Sequence, residues 1–372
     1  MRAIKLSESV PQSAYNARQV LENEAKVAAT MSVSMTRLME KAGMAVFNHM
    51  RQAYGQCSKL LVVSGKGNNG GDGFVVARLA QEIGIQVTVY LCCDAQQLKG
   101  DAKLAFMQLL DTGASIIYHS EFSLSDEFLQ DNQFQLVIDA IFGIGFRGQL
   151  PEHISALVEV INQSAIPVLS IDIPSGLNAS TGNVETCAVM ADQTVTFIAI
   201  KQGLLTGQAA NYCGELYFAG LELEQAFEDM VNSNVSIQSV HAKGVARLPD
   251  LPSRKAASHK GCIGQLFAIG GGQGMPGAIR LASEAALRSG ASLVAVGCHP
   301  DNLVMIANGR PELMLAPLNN ESVSEQRFFK KAKWLLCGPG LGQDVWAQQL
   351  FEQLMQSDKP CVLDADALTL LA

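Results

Sequence analysis

The chain has 372 residues, of which 48% are hydrophobic and 17% charged, and its formal net charge is -8. This length predicts two or three domains, and the apolar content suffices for large buried cores, so a single small module and a generally disordered chain are both excluded. An acidic chain is poorly suited to nucleic acid or an anionic membrane surface, and we expect small-molecule partners instead.

Short apolar runs alternate with helix-length amphipathic segments along the chain, which is typical of an α/β fold with a mostly parallel sheet. In the first half, apolar residues at three- and four-residue steps predict a helix over Ser34 to Met50. Six strands are predicted there, at Leu60 to Ser64, Val87 to Cys92, Ser115 to Tyr118, Gln135 to Asp139, Pro167 to Ile171 and Thr194 to Ala199. The polar, proline-containing residues 223–252 are then predicted to link a first domain, residues 1–222, to a second, residues 253–372.

The second domain begins the same alternation again. Strands are predicted at Gln265 to Ile269, Leu293 to Val296, Trp334 to Cys337 and Pro360 to Leu363, with a helix at Ala278 to Ser289. Because the last strand lies close to Ala372, the sheet is expected to lack covering elements on one side. We therefore expect this domain to be the less stable part of the molecule or to self-associate, and the protein to be a homo-oligomer.

The sequence shows no sign of membrane insertion, export or a thiolate metal site. No apolar run reaches the length of about 18 residues that a membrane span needs, and the amino terminus lacks a signal-peptide core. The nine cysteines form neither CxxC pairs nor a zinc spacing, so they are predicted to be reduced and mostly buried. We expect a cytoplasmic protein with no membrane partner.

The strongest motif is a glycine-rich turn, Gly65 to Gly73, between a predicted strand and a helix. Such a turn lets backbone approach a ligand, and the following helix offers free N–H groups and its positive dipole end to a phosphate. It matches neither the GxGxxG fingerprint nor a Walker loop. A plain tight connection is the alternative, but such a connection does not need the polar side chains of Asn68, Asn69 and Asp72.

Two more polar motifs follow strand ends. Asp139 precedes a loop that contains three glycines and an arginine, and Asp172 precedes a Pro-Ser-Gly turn that holds Ser175. Because ligands bind beyond the carboxyl ends of parallel strands, the three motifs are expected to share one crevice. Either aspartate could instead cap the next helix, and which of the two transfers protons stays open.

These motifs strongly resemble the NAD(P)H-hydrate epimerase family in the stretches NNGGDG (68–73), VIDAIFG (137–143) and IDIPSGL (171–177), and the resemblance covers roughly residues 10–220. It implies a Rossmann-like three-layer domain, often dimeric, that interconverts the R and S forms of hydrated NADH and NADPH (NADHX and NADPHX) and binds a potassium ion (K+). By motif match, the potassium ligands are Asn69, Asp139 and Ser175. The implied hydrate-binding residues are Asn68, Asn69, Gly70, Gly71, Asp72, Gly143, Ile144, Gly145, Phe146, Arg147, Gly148, Gln149 and Asp172.

A fourth match places Lys201 before a Gly-Leu turn, where the family has a lysine; a solvated lysine at a strand end is the alternative. The family more often has Pro and Thr at the positions of Ile200 and Ile144, but neither change removes a charged or ligating side chain. We expect Asp172 to give and take the proton of the substrate hydroxyl, with Lys201 assisting.

The second half carries GGGQGMPGA (270–278), GPGLG (338–342) and DADAL (364–368). These stretches resemble the ADP- or ATP-dependent NAD(P)H-hydrate dehydratase domain, a ribokinase-like α/β fold, so the whole chain is similar to the bifunctional NAD(P)H-hydrate repair family. The implied substrate and nucleotide residues are Lys260, Gly277, Ala278, Gly340, Asp364 and Asp366.

The dehydratase family's later motifs, which carry its catalytic aspartate and adenine-nucleotide contacts, do not occur before Ala372. We therefore expect this chain to epimerise but not to dehydrate, and ADP or ATP to serve only a completed second domain. A ribokinase-type small-molecule kinase and a non-catalytic dinucleotide-binding scaffold are the two alternatives from other functional classes.

Overall fold

The computed structural model describes residues 3–5, 13–233, 244–245, 264–308, 310–319 and 323–372. The chain separates into two compact units, Met1–Asp250 and Leu251–Ala372. Each unit has its own mostly parallel sheet, which confirms the α/β class. Among the described residues, no helix combines the length and apolar character needed to cross a bilayer.

The first unit contains eleven strands and seven helices in its described part. The strands are β1 (Ile4–Lys5), β2 (Ser13–Tyr15), β3 (Lys59–Ser64), β4 (Gln86–Leu91), β5 (Ser115–Tyr118), β6 (Leu136–Ala140), β7 (Val168–Ile171), β8 (Gln193–Phe197), β9 (Ile200–Lys201), β10 (Glu215–Ala219) and β11 (Gly244–Val245). The helices are α1 (Ala17–Thr30), α2 (Met35–Ala53), α3 (Asn68–Glu82), α4 (Gly100–Leu110), α5 (Asp126–Asn132), α6 (Glu152–Gln163) and α7 (Glu224–Ser233). All six predicted strands are present, and Ser34 caps α2 by accepting from Arg37 N.

The main sheet has the strand order β1-β10-β8-β7-β6-β3-β4-β5, and its strands are parallel except β1. The chain runs outward from β3 through β4 to β5, then returns to β6 and continues on the other side of β3. A crevice forms where the order reverses, at the carboxyl ends of β3 and β6. The glycine-rich turn and Asp139 lie at these two strand ends.

The central strand β3 is covered by helices on both faces. Leu60 and Val62 belong to one core cluster, with residues of α1 to α4, while Leu61 and Val63 belong to another, with residues of α5 and α6. All four side chains are fully buried. Burial on both faces explains why the strand reads as a continuous apolar run and not as an alternating pattern.

Helix α7 occupies the start of the segment predicted to be a linker, and this prediction is corrected there. Phe227 and Val231 are buried in the core cluster that includes α1, and the Phe227 ring meets the edge of Tyr15 at 5.1 Å between centroids. These apolar residues lie four positions apart, so they share one helix face that the polar composition of the segment concealed. The first unit therefore continues through α7, and most of the remaining predicted linker lies outside the described residues.

The second unit has a five-stranded parallel sheet. Its strands are β12 (Gln265–Ile269), β13 (Leu293–Cys298), β14 (Met314–Pro317), β15 (Ala332–Cys337) and β16 (Cys361–Leu363), and their order in the sheet is β14-β13-β12-β15-β16. Its helices are α8 (Pro276–Arg288), α9 (Leu303–Ala307), α10 (Arg327–Lys331), α11 (Val345–Met355) and α12 (Asp366–Leu371). The predicted strands are all present, and β14 is an additional one. Trp334 on β15 and Val362 on the edge strand β16 are exposed, so this sheet leaves apolar side chains uncovered. The lower stability and self-association expected from that exposure stay predictions.

Candidate active site

A cavity of about 570 Å³ opens at the carboxyl end of the main sheet in the first unit. Its lining includes residues of all three strand-end motifs and the lysine: Asn68, Asn69, Asp72, Gly143, Ile144, Gly145, Phe146, Arg147, Asp172 and Lys201. The order of the strands explains this convergence, because the turns after β3, β6, β7 and β8 all emerge at the same edge.

Four residues of the implied hydrate-binding set do not line the cavity: Gly70, Gly71, Gly148 and Gln149. A Cβ atom on Gly70 would lie 2.0 Å from the carbonyl oxygen of Gly65, and one on Gly71 would lie 2.5 Å from the Cε atom of Met39. These two glycines therefore allow α3 to pack against its own turn and against α2, and they do not face the cavity.

Lys201 is buried, with 1% of its surface exposed, and each of its donors has a protein acceptor. Its ammonium forms an ion pair with Asp172 Oδ1 and donates to Thr196 Oγ1 at 3.1 Å and to the Phe197 carbonyl oxygen at 2.9 Å. An ammonium has three N–H donors, so these acceptors satisfy it completely. A solvated strand-end lysine, the alternative from the sequence, does not describe this residue.

The Asp172 carboxylate presents one oxygen to the protein and the other to the cavity. Oδ1 accepts from Thr196 Oγ1 at 3.0 Å and from Phe197 N at 3.2 Å, in addition to Lys201. Every hydrogen bond that the described residues make to this carboxylate reaches Oδ1. Since 11% of the side chain is exposed at the cavity, Oδ2 is the atom available to a ligand.

Two strained turns hold this pair. Asp172 has φ +65° at the centre of a three-residue turn that the hydrogen bond from Ile173 N to Ile171 O closes at 2.8 Å. Ile198 has φ +62°, and its neighbours are joined in the same way at 2.5 Å. Such conformations cost on the order of 1–3 kcal/mol each and are a particular anomaly for β-branched Ile198. Packing of the surrounding sheet maintains this strain at the point where β7 and β8 present their ends to the cavity.

Two further carboxylates, Glu24 and Asp72, face the same cavity as Asp172 and Lys201. Burial raises the pKa of Glu24; the charge of Lys201 opposes this effect and that of Asp172 adds to it. Burial, reinforced by the charges of Asp172 and Glu24, raises the pKa of Asp72 well above its ordinary value. Glu24, Asp72 and Asp172 thus interact with one another and with the Lys201 ammonium, and the pKa of Asp72 is raised further than that of Glu24.

Sequence reasoning missed Glu24, although a signal exists. Asn16 and Gln19 form a capping box at the start of α1, which fixes the register of this helix. In that register, Glu24 lies on the same face as the buried residues Val20 and Val27. A carboxylate on the apolar face of an amphipathic helix indicates a functional position more strongly than one on the solvated face.

The three implied potassium ligands meet beside the backbone of Phe142, beneath the cavity. Asn69 Nδ2 donates to the Phe142 carbonyl oxygen at 2.9 Å, and Phe142 N donates to Ser175 Oγ, also at 2.9 Å. Ser175 Oγ in turn donates to Asp139 Oδ1 at 2.6 Å. Asp139 has no exposed surface and does not line the cavity, so of the two strand-end aspartates Asp172 is the one that can reach a substrate.

The chemistry of this cluster fits an alkali cation. Asp139 accepts from Ser170 Oγ and from Ser175 N and Oγ, and it forms no ion pair with a basic side chain in the described part of the chain. Burial raises the pKa of Asp139, while the hydrogen bonds from Ser175 and Ser170 oppose the effect. The surrounding donors are carboxylate, hydroxyl, amide and carbonyl oxygens, which hard cations prefer.

In the second unit, the glycine loops also meet at strand ends. Gly340 has φ +60°, and a Cβ atom there would lie 3.4 Å from the Cβ of Ala278, next to Gly277 in the first turn of α8. Gly342 N donates to Asp366 Oδ2 at 2.9 Å, and Asp364 is exposed beside it. Gly277, Ala278, Gly340, Asp364 and Asp366 therefore lie at one edge of the sheet, whereas Lys260 lies outside the described residues.

Comparison with known proteins finds a family model that matches each unit. The family model described as YjeF-related protein N-terminus matches residues 35–203, and the model described as NAD(P)H-hydrate dehydratase matches residues 266–372. The yeast protein ynu0, whose crystal structure is known, shares the fold with a TM-score of 0.52 and 21% identity, over 62% of this chain and 98% of that one.

Two curated relatives match almost the whole chain. The bifunctional NAD(P)H-hydrate repair enzyme Nnr of Coxiella burnetii is 39% identical over 96% of this chain and 71% of its own length. The enzyme of the same name from Escherichia coli is 38% identical over 98% of this chain and 68% of its own length. The match of residues 266–372 to the dehydratase model means that the expected absence of dehydratase activity is not supported. The chain belongs to the family of bifunctional NAD(P)H-hydrate repair enzymes.

Proposed function

We propose that the first unit interconverts the R and S epimers of NADHX and NADPHX. The observation that carries this proposal is the buried Lys201–Asp172 pair, which turns a carboxylate oxygen towards a cavity that also holds two carboxylates of raised pKa. Membership of the repair family supports it. A non-catalytic scaffold would not need a buried lysine held by three acceptors or two strained turns.

The reaction requires one proton to move onto the leaving oxygen and another to leave the entering water. The hydrate carries its hydroxyl group on C6, beside the ring nitrogen, whose lone pair can expel that group as an iminium-like centre forms. Re-addition of water to the opposite face inverts C6 and returns the proton. Ring opening and reclosure at C6 is the alternative route to the same inversion.

We assign the proton transfers to Asp172 and Asp72. Asp72, whose pKa is raised, donates its proton to the hydroxyl, which departs as water, while Asp172 Oδ2 takes a proton from the entering water and stabilises the positive ring. Transfer of that proton from Asp172 to Asp72 restores the starting state. Lys201 does not touch the substrate in this scheme; it fixes the rotamer of Asp172 through Oδ1. Two carboxylates whose surroundings differ thus take opposite roles.

The amino terminus of α3 would hold the diphosphate of the substrate. Its cap residue, Gly67, has no side chain to satisfy the first N–H groups, and Gly67, Asn68 and Asn69 all line the cavity. Free N–H groups and the positive end of the helix dipole attract phosphate oxygens. We place K+ at Asn69, Asp139 and Ser175, where it would order the loop after β6 and offset the buried charge of Asp139.

We propose that the second unit binds the phosphates of ADP or ATP at the amino terminus of α8. No side chain caps this helix, Pro276 occupies its first turn, and the loop with Gly340 approaches it closely. Calorimetric titration with ADP tests binding. Formation of NADH from the S-hydrate after addition of ADP or ATP would show that the chain also dehydrates.

The epimerase proposal is tested by incubating the purified protein with the R-hydrate of NADH and following the S-hydrate by chromatography. Conversion well above the rate without protein supports the proposal. Tight binding of the hydrate without any conversion would favour the scaffold alternative. If the hydrate is neither bound nor converted, the epimerase proposal and the scaffold alternative are both contradicted.

A further inference from the structure

A second cavity of about 360 Å³ lies beside the first, and the two share Lys66, Ile141 and Phe142 as a common wall. The second cavity opens at the carboxyl ends of β4 and β5, where Cys93, Asp94 and His119 contribute to its lining. Its volume falls within the range of about 300–1,000 Å³ that is usual for ligand pockets. None of the residues implied by the family resemblance lines it.

The second cavity offers a flat aromatic surface. His119 and His153 stack with ring centroids 4.5 Å apart and an angle of 25° between the rings. Tyr90 Oη donates to the Phe122 carbonyl oxygen at 2.9 Å, so its single proton is used. The contact of 3.1 Å between Tyr90 Oη and His119 Nδ1 therefore has the imidazole as donor, which leaves His119 Nε2 as an acceptor.

Two charged residues, Asp94 and Lys66, also line the second cavity. Asp94 follows the end of β4, which comes directly after β3, the glycine-rich turn and α3. In βαβ nucleotide-binding units, an acidic residue at this place, about 20 residues beyond the glycine loop, binds the ribose hydroxyls of an adenosine. Lys66 is exposed in the wall between the cavities, one residue before the cap of α3, where a diphosphate would pass.

We propose that the second cavity binds the adenosine half of the dinucleotide, with its base on the His119–His153 pair and its ribose on Asp94. This inference rests on the proposed function, because it takes the hydrated nicotinamide half to occupy the first cavity. The shared wall allows one molecule to span both cavities, with its diphosphate at Lys66 and the amino terminus of α3.

The proposal predicts a preference for NADHX. NADPHX carries a phosphate on the adenosine ribose, and the Asp94 carboxylate would repel it. Asp94→Asn keeps the side-chain oxygen that accepts from Gln96 N at 2.8 Å, so the local turn is retained. The ratio of kcat/KM for NADHX to that for NADPHX should fall several-fold in this variant. An unchanged ratio would overturn the assignment of Asp94.

The main test compares NADHX with the hydrate of reduced nicotinamide mononucleotide, which lacks adenosine. His153→Ala should raise KM for NADHX on the order of tenfold, as loss of base stacking does, without changing kcat, and it should leave the mononucleotide kinetics unchanged. Glu159→Ala is the matched control, since Glu159 is exposed on the same helix and does not line the cavity. Equal effects of His153→Ala on both substrates, or none on NADHX, would overturn the proposal.

A binding measurement separates this proposal from the epimerase proposal. Titration with ADP-ribose should shift the imidazole proton resonances of His119 and His153, whether or not the protein is an epimerase. If the wild-type protein converts neither hydrate but these resonances shift, the epimerase proposal fails and the adenosine site stands. If it converts the hydrates but the resonances do not move, the adenosine site fails alone.

Discussion

The Lys201–Asp172 pair determines what the first unit can do chemically, because it fixes one carboxylate oxygen and leaves the other at the cavity. Breaking a buried ion pair leaves an uncompensated charge and costs stability as well as activity. Asparagine at position 172 retains an oxygen that can accept from Lys201, so this substitution tests proton transfer more cleanly than removal of the lysine.

Asp172→Asn should reduce the rate of epimerisation about 10²- to 10⁴-fold, the usual contribution of general acid–base catalysis. Asp192→Asn is the matched control, because Asp192 accepts from Val168 N at the opposite end of the same sheet. The initial rates and the melting temperatures of the two variants are compared with those of the wild-type protein. A folded Asp172→Asn protein that epimerises at nearly the wild-type rate would rule out Asp172 as the group that accepts the proton of the entering water.

Asp72 predicts a pH dependence of stability. Because its pKa is raised in the folded state, the folded protein binds this proton more tightly than the unfolded chain. The resulting stabilisation is present in full below the ordinary pKa of 3.8 and is lost as the pH rises through the higher folded-state value. Relative to Asp72→Asn, the wild-type Tm should therefore fall as the pH rises above 3.8.

Melting curves of the two proteins over that pH range test this prediction. Asp139 is not among the charges that act on Asp72, so its contribution is common to both proteins, and the difference between the curves reports Asp72 together with its coupling to Glu24 and Asp172. A Tm difference that does not change with pH would show that Asp72 is not strongly perturbed.

The sequence identifies the polar residues of the site more reliably than it identifies the hydrogen bonds that position them. Asp172 and Lys201 could be identified from strand ends and motif matches, but their common partners, Thr196 and the Phe197 peptide, depend on the register of β8 and on the positive φ of Ile198. Neither the register of β8 nor the positive φ of Ile198 can be read from the pattern of residues along the chain. Glu24 could have been found from the helical face it occupies.

Helix α3 packs against its own turn so closely that Gly70 has no room for a side chain. Gly70→Ala would place a Cβ atom 2.0 Å from Gly65 O and should lower the free energy of unfolding by more than about 2 kcal/mol. Gly67→Ala, at the cap of the same helix, meets no atom within 4 Å and should cost about 1 kcal/mol or less. Urea unfolding of both variants tests this ranking, and equal losses would contradict it.

The loop after β6 should respond to potassium. A cation bound only in the folded state stabilises the protein by mass action, so Tm should be higher in K+ than in an equal concentration of a bulky organic cation. Asp139→Asn should abolish most of that increment, because its carboxylate is the charged member of the cluster. If wild-type melts in the two salts coincide, the potassium assignment is wrong.

For the whole molecule, the sequence predicts the two α/β regions and most strands, since periodicity and strand-end glycines are local signals. The end of the first unit could not be predicted in the same way. Phe227 and Val231 are two apolar residues in a polar segment, and only their contact with the cluster that includes α1 shows that they belong to the core. Long-range packing of this kind leaves little trace in composition.

A fragment of residues 1–233 should therefore melt at a higher temperature than a fragment of residues 1–223, which lacks α7. The shorter fragment exposes the core around Tyr15, which the Phe227 ring covers. Calorimetric scans of the two fragments measure the difference, and the longer one should retain epimerisation. Equal melting temperatures would contradict the inclusion of α7 in the first unit.

We propose that the first unit inverts C6 by expelling and re-adding the hydroxyl group. The most direct measurement converts the R-hydrate of NADH in water labelled with heavy oxygen and analyses the S-hydrate by mass spectrometry, with a sample lacking protein as the control. We predict that S-hydrate forms in the presence of the protein and carries the heavy isotope at C6. Absence of S-hydrate would contradict the epimerase activity, and S-hydrate that keeps its original oxygen would contradict the route through Asp72 and Asp172.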